Sequence, residues 1–304
     1  MRMRTVRTVD ELRAMLVTAR REGLRIGLVP TMGALHEGHL TLIRRARECC
    51  DVVVVSLFVN PSQFNESSDL ERYPRREADD AQLAADAGAD ILFAPSVEEV
   101  YPQGFATSVE VLGMTERLEG ASRGAAHFRG VATVVTKLLC MTLPDVAFFG
   151  QKDAQQLVVI RRLAADLNLP IEIETVSTVR EADGLAMSSR NALLSPDERK
   201  RALALPAALN AAHELLSAGE LSPAALIDAA HEAMRPFDVR PEYIALVDPD
   251  TFEPLEHALA ADALLVLAAR VGSVRLIDNA TLQPHLAQPT PRQREGEAIA
   301  TCSA

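Results

Sequence analysis

Apolar runs bounded by glycine, proline and polar clusters divide the chain into alternating strands and helices. Ile26 to Val29 is cut by Pro30, followed by a turn at Gly33 and then an amphipathic run from Leu40 to Ala46. This pattern predicts a strand, a tight turn and a helix whose first residues are His36, Glu37, Gly38 and His39. Residues 52–59 are apolar at both alternating sets of positions, as expected of a parallel strand buried between helical layers. Further strands are predicted over 90–95, 145–149 and 171–176, with a short one over 109–112. Helices are predicted over 11–21, capped by Asp10 and ended by Gly23, over 77–87, through Val131, Val135 and Leu138, and over 154–167. The charged stretch 69–76 and the small-residue stretch 120–127 read as loops. Such alternation implies an α/β fold with a doubly wound, Rossmann-like parallel sheet.

Near Val179 the texture changes. A polar loop over 180–191 leads to two alanine-rich helices, 196–218 and 223–235, and then to strand-like runs over 243–247, 263–269 and 274–278. The expected division is a Rossmann-like domain over 1–178 and a smaller C-terminal α+β domain over 179–283. The tail over 284–304, rich in Gln, Pro, Thr and Arg, is expected to be disordered.

Composition narrows the function class. Of 304 residues, 42 are acidic and 31 basic, giving a net charge of -11. A polynucleotide binder needs a cationic face, so no nucleic-acid partner is expected. There is no apolar run long enough to span a membrane and no apolar stretch after the basic N-terminus, so neither a membrane partner nor a signal peptide is expected. Cys49, Cys50, Cys140 and Cys302 form no C-x-x-C pair and read as small core residues of a cytoplasmic protein.

Three stretches carry candidate chemistry. His36 and His39 stand three residues apart at a predicted helix start, where free N–H groups and the helix dipole favour an anion. Only one residue separates Glu37 from His39, so this is not the H-E-x-x-H zinc motif. Met187, Ser188, Ser189 and Arg190 place two hydroxyls and a guanidinium in a loop near Gly184, suiting a mobile phosphate clamp. Gly150, Gln151, Lys152 and Asp153 follow a strand, and a lysine at a helix N-terminus is disfavoured by the dipole unless it meets an anion. Taken singly, the first two are better read as an ordinary solvated helix start and a Ser-rich turn, and the alternative for Lys152 is a solvated lysine.

Together they resemble a family. H-x-G-H after the first long strand and M-S-S-R late in the chain are similar to the nucleotide-binding signatures of class I aminoacyl-tRNA synthetases and their nucleotidyltransferase relatives. The fuller set is P-T-M-G-A-L-H-E-G-H, F-V-N-P-x-Q-F, Y-P-R, H-F-R-G-V, F-F-G-x-K-D-x-Q-Q-L and R-E-x-D-G-L-A-M-S-S-R-N. Collinear over residues 5–282, it resembles the pantothenate synthetase family. That resemblance implies ATP-dependent ligation of pantoate and β-alanine through pantoyl adenylate, releasing pyrophosphate and AMP, with Mg²⁺ accompanying ATP and a homodimeric assembly. It implies catalytic roles for His36, His39 and Lys152. It assigns ATP to Met32, Gly33, Ala34, Leu35, His36, Glu37, Gly38, His39, Gly150, Gln151, Lys152, Asp153, Val179, Met187, Ser188, Ser189 and Arg190. Pantoate falls to Gln63, Gln156 and Asn60, with Arg123, His127 and Lys137 as second-tier candidates and Asp79 and Asp80 as candidate helpers of the metal.

Three positions depart from the family pattern: Gln151 where Glu is common, Ala154 where an aromatic is usual, and an Arg123–His127 segment one residue longer. The alternative reading is another small-acid adenylating enzyme or nucleotidyltransferase. A tRNA synthetase would need an anticodon-binding region and a cationic RNA face, and this short acidic chain has neither.

Overall fold

The computed structural model describes residues 3–64, 70–71 and 73–284. Residues 285–304 of the predicted tail, and most of the stretch 65–72, lie outside them. Among the described residues two sheets form. The first has strands β1 (Arg4–Val6), β2 (Ile26–Thr31), β3 (Val52–Leu57), β4 (Ile91–Phe93), β5 (Val146–Gly150) and β6 (Glu172–Val176). All are parallel, in the order β1-β4-β3-β2-β5-β6. From β1 at one edge the chain enters the sheet at β2, runs outward through β3 to β4, which pairs with β1, then crosses back and continues through β5 to β6 at the other edge. The gap between the C-terminal ends of β2 and β5 is therefore the topological switch point where open α/β sheets take ligands.

Helices on both faces make two layers of core. Leu28, Val54, Phe93 and Ala147 face one layer with Leu12, Val131 and Leu157, and Val29, Val53, Leu92 and Phe148 face the other with Ile43 and Ala84. β2 and β3 alternate between these layers, which is why both read as continuous apolar runs. Pro30 does not end β2: the strand runs on to Thr31, paired with Leu57. The first helix, Val9–Arg21, starts earlier than expected. Thr8 caps it, its hydroxyl accepting from Glu11 N–H while the Glu11 carboxylate accepts from Thr8 N–H. Thr8 and Glu11 thus form a capping box that Asp10 does not share.

One loop and one strand expectation fail. Residues 120–127 are helical, in the pieces Glu119–Arg123 and Ala125–Thr142, which break at Gly124 with φ +81°. Residues 109–112 form no strand; Val109 N–H donates to Thr133 Oγ1 instead.

The second sheet is antiparallel, β7 (Pro241–Val247), β8 (Ala263–Val271) and β9 (Val274–Leu282). Ala204–Ser217 and Pro223–Met234 cover it through Leu205, Leu209, Leu226 and Leu265. The expected single helix 196–218 is broken into Pro196–Arg201 and Ala204–Ser217. The other face of this sheet meets the first unit: Ala154 and Val158 are buried with Val247, Phe252, Leu264 and Val266. Ala154 is thus buried beside Phe252, at the margin of the switch-point cleft. Among the described cysteines Cys50 is buried and Cys140 is exposed, the latter against expectation. Among the described residues no helix is long and apolar enough to cross a membrane.

Candidate active site

A cleft of about 900 Å³ opens at the switch point, walled by the ends of β2, β3 and β5 and by the second sheet. Met32, His36, Gly38, His39, Asn60, Gln63, Gly150, Lys152, Asp153, Gln156, Val179, Met187, Ser188, Ser189 and Arg190 line it. So do Arg123 and His127.

The loop after β2 is shaped by backbone chemistry. Gly33 and Ala34 are both left-handed, with φ +88° and +52°. Ala34 is held there by Asp80, whose two carboxylate oxygens accept from Ala34 N–H at 2.9 Å and Leu35 N–H at 2.8 Å. Asp80 is 3% exposed. Its two oxygens thus brace the loop. Gly33, Ala34 and Leu35 do not wall the cleft, and Leu35 packs into the core. Glu37 also faces away, its carboxylate paired with Arg44.

The two histidines cap the helix Glu37–Cys49. His36 N–H donates to His39 Nδ1 at 3.3 Å, and Gly38 N–H donates to His36 Nδ1 at 3.2 Å. A backbone N–H only donates, so each Nδ1 is an acceptor and each Nε2 carries the proton. Burial, then the neighbouring His36, pushes His39 down to about 3; burial and Lys152 also lower His36. Both rings are neutral Nε2–H donors at a positive helix end.

The segment after β5 is fixed from the second sheet. Asn279 Nδ2 donates to Gln151 O at 3.0 Å and Lys152 O at 2.9 Å, and the Gln151 amide turns toward Asn279 rather than into the cleft. The loop 180–191 is anchored rather than free at its base. Arg180 makes a two-pronged ion pair with Asp278 at 2.7 and 3.0 Å, and Asn191 Nδ2 donates to Glu181 Oε1 and Ala186 O. Met187 N–H donates to Val179 O, joining two of the expected nucleotide contacts. Lys137 stands apart, its ammonium 4.4 Å from the Phe105 ring centroid.

The other end of the cleft is apolar, with Phe58, Val131, Val134, Val135 and Leu138. Here the turn Pro61–Gln63 lies on the helix Ala125–Thr142, and Gly130 is required: a Cβ there would sit 2.3 Å from Ser62 O. His127, pushed down to about 4 by burial and Arg123, is neutral and donates from Nδ1 to Gln63 O at 2.8 Å.

Sequence reasoning missed Glu119, Arg275 and Tyr243. Arg275 donates to both Glu119 oxygens at 2.8 and 2.6 Å, Arg123 Nε donates to Oε2 at 2.7 Å, and Tyr243 OH donates to Oε1 at 2.8 Å. Burial alone would raise the Glu119 pKa, but Arg275 and Arg123 outweigh it and hold it at about 2. The cluster ties β7 and β9 to the first unit beside the cleft. Only its Glu119–Arg123 pair is local in sequence; Glu119 and Arg275 lie 156 positions apart. An anion entering this cleft would meet Lys152, Arg123, Arg190 and Arg275.

Comparison with known proteins gives the site its context. The family model described as pantoate-beta-alanine ligase matches residues 4–281. The pantothenate synthetase of Moorella thermoacetica is 52% identical over 282 residues, covering 92% of this chain and 99% of that protein. That of Cereibacter sphaeroides is 54% identical over 274 residues, covering 90% and 98%. A crystal structure of the Thermus thermophilus enzyme superposes with TM-score 0.88 at 50% identity, covering 93% of this chain and 100% of the other. A pantoate-beta-alanine ligase from Francisella tularensis, complexed with beta-gamma ATP and beta-alanine, superposes with TM-score 0.74 at 33% identity, covering 91% and 97%. With the switch-point cleft and collinear motifs matched along nearly its whole described length, the chain belongs to the pantoate–β-alanine ligase family.

Proposed function

We propose that this ligase forms pantothenate in two steps within the one cleft, with pantoyl adenylate between them. In the first, a pantoate carboxylate oxygen attacks the α-phosphorus of ATP and the bond to pyrophosphate breaks. In the second, the β-alanine amine attacks the acyl carbon, the bond to AMP breaks, and the amine loses its extra proton. The observation that carries this reading is the cleft's division. Neutral histidine donors, Lys152 and Arg190 line one part, and neutral amides with an apolar wall line another.

Each part suits its ligand. Charge develops on the transferring phosphoryl group and the leaving pyrophosphate, and preorganised donors stabilise it without reorganising. His36 and His39 would offer Nε2–H to phosphate oxygens, Lys152 the α-phosphate charge, and Ser188, Ser189 and Arg190 the β- and γ-phosphates. Met32, Gly38, Gly150, Asp153, Val179 and Met187 would complete the ATP wall. With its pKa at about 3, His39 is a hydrogen-bond donor rather than an acid that surrenders a proton. Gln63 and Gln156 would orient pantoate without adding charge, its two methyl groups lying against Phe58 and Val131, and buried Asn60 would act by holding Gln63. Residues 179–283 would act as the smaller, lid-like domain.

Mg²⁺ would arrive with ATP. Among the described residues no cluster of three His, Cys, Asp or Glu side chains is placed to hold an ion. The cation would thus be held chiefly by phosphate oxygens, as Mg²⁺ commonly is, and would neutralise charge on the triphosphate. Homodimer formation and a cytoplasmic location follow from the family reading and are checked by sedimentation and by cell fractionation.

The test is AMP formation with ATP, pantoate and β-alanine, each omitted in turn. AMP should require all three, and pyrophosphate should form with ATP and pantoate alone. Pyrophosphate release with other acids but not pantoate would overturn the assignment and favour a different small-acid adenylating enzyme.

A further inference from the structure

The histidines that line the cleft divide into two tautomers. His36 and His39 each accept a backbone N–H at Nδ1 and carry their proton on Nε2. His127 is the reverse. Its Nδ1 lies 2.8 Å from Gln63 O, and a carbonyl only accepts, so Nδ1 carries the proton and Nε2 keeps its lone pair. The two ring nitrogens point to different sides of an imidazole, so Nε2 looks away from the turn Pro61–Gln63. Among the described residues no hydrogen bond to it forms, and it is not sealed from solvent as the unpartnered hydroxyls of Ser56, Thr142 and Thr178 are.

Two other acceptors beside it are taken. Gln63 Oε1 receives Asn60 Nδ2, and the Glu119 oxygens receive Arg275, Arg123 and Tyr243. Burial, then Arg123, keep the His127 ring neutral against the opposing pull of Gln63 O, Glu119 and Asp153. The result is an unused lone pair in a cleft otherwise rich in donors. Phosphates and carboxylates call for donors. The β-alanine amine is the reactant group that brings several N–H bonds and must still aim a lone pair at carbon. Its carboxylate, at the other end of the molecule, calls for a positive charge, and Arg123 lines the cleft close enough to His127 to act on its charge state.

We propose that His127 receives the β-alanine amine: its Nε2 accepts one N–H and so turns the nitrogen lone pair toward the acyl carbon of the adenylate. The inference rests on the two-step reading above. β-Alanine reacts as the neutral amine, whose lone pair forms the C–N bond. The acyl C–O bond to AMP breaks, its electron pair leaving on the phosphate oxygen, and the nitrogen sheds its extra proton to solvent. His127 orients this step without storing the proton. Its role is thus the complement of the one given to His36 and His39, which offer N–H groups to phosphate oxygens.

The experiment uses the full-length enzyme with His127→Asn, whose side-chain NH₂ takes the place of Nδ1 and keeps a donor for Gln63 O while Nε2 is removed. Pyrophosphate release from ATP and pantoate reports the first step, and AMP release on adding β-alanine reports the second. The first step and the pantoate KM should stay within about twofold of wild type, while β-alanine-dependent breakdown of the adenylate slows about tenfold, the size of one lost hydrogen bond. Equal slowing of both steps would show a structural role through the Gln63 turn and overturn the proposal. Unchanged adenylate breakdown would overturn it, and so would a loss confined to the pantoate KM, which would make Nε2 an acceptor for a pantoate hydroxyl. If the variant does not fold, the ring nitrogens of the ¹⁵N-labelled wild type decide. His127 should show a protonated Nδ1 and a bare Nε2 whose signal moves when β-alanine joins pantoate and a non-hydrolysable ATP analogue; an Nε2–H tautomer or an unmoved signal refutes the assignment. Failure of the two-step reading is separate, since the wild type would then release no pyrophosphate from ATP and pantoate alone.

Discussion

Replacing Glu119 with Gln tests what joins the two sheets. The substitution keeps shape and removes charge from a carboxylate that receives four hydrogen bonds, three from guanidinium groups and one from Tyr243. Removing one member of a buried ion pair costs roughly 3–5 kcal/mol. Arg275 keeps a second partner in Glu242 at 2.6 Å, which places the loss at the lower bound, about 3 kcal/mol. At roughly 2–4 °C per kcal/mol for chains of this order of size, Tm should fall by about 6–12 °C. Thermal unfolding followed by circular dichroism at pH 7 measures this, at low salt and again in 0.5 M NaCl (a concentration of about this size screens exposed pairs). The Glu119 and Arg275 side chains are 9% and 11% exposed, so the loss should persist in salt. A fall of less than about 2 °C, or one that vanishes in salt, would show that the cluster behaves as a surface ion pair.

Other outcomes follow from the same geometry. Asp80→Asn puts an NH₂ against loop N–H groups, so KM for ATP should rise at least about tenfold while KM for pantoate changes less. An unchanged ATP KM would remove the bracing role. Gly130→Ala forces Ser62 away and should raise KM for pantoate, with a stability cost of about 1–3 kcal/mol in urea unfolding. His39 has a folded pKa of about 3 against an ordinary 6.5, so the unfolded chain binds the extra proton first. That stability is complete above pH 6.5 and is lost as pH falls toward 3, amounting to about 2 kcal/mol by pH 5. Urea titrations at pH 7 and 5 compare wild type with His39→Gln, and an equal decline in both would refute it. The same variant should slow pyrophosphate release without abolishing it, since Gln retains a donor; near-normal release would remove any need for acid catalysis.

The parallel sheet was legible because strands buried on both faces must be apolar throughout, as in 52–59. Motif spacing also carried the cleft: strand ends bring the stretches near His39, Gln63 and Lys152 together whatever the intervening helices do. Position within a motif was less informative. Glu37 and Gln151 sit among cleft residues in sequence, yet a helix start and a turn point them to Arg44 and Asn279. The 120–127 segment looked like a loop because small residues have weak local preference, and packing decided in favour of helix. Of the Glu119 cluster only the pair with Arg123, four residues on, is local; Tyr243 and Arg275 lie more than a hundred residues away and had no local sign.

The brace between Asp80 and the loop after β2 bears on transplantation. The H-x-G-H stretch looks self-sufficient on paper, a short cassette between a strand and a helix. Its shape depends on an acceptor 46 positions after Ala34, supplied by a helix across the sheet face. Grafted alone onto another strand–helix junction, the cassette would lack what keeps a non-glycine residue left-handed before His36. The transferable unit is the cassette together with the helix Glu77–Asp86 that carries its acceptor.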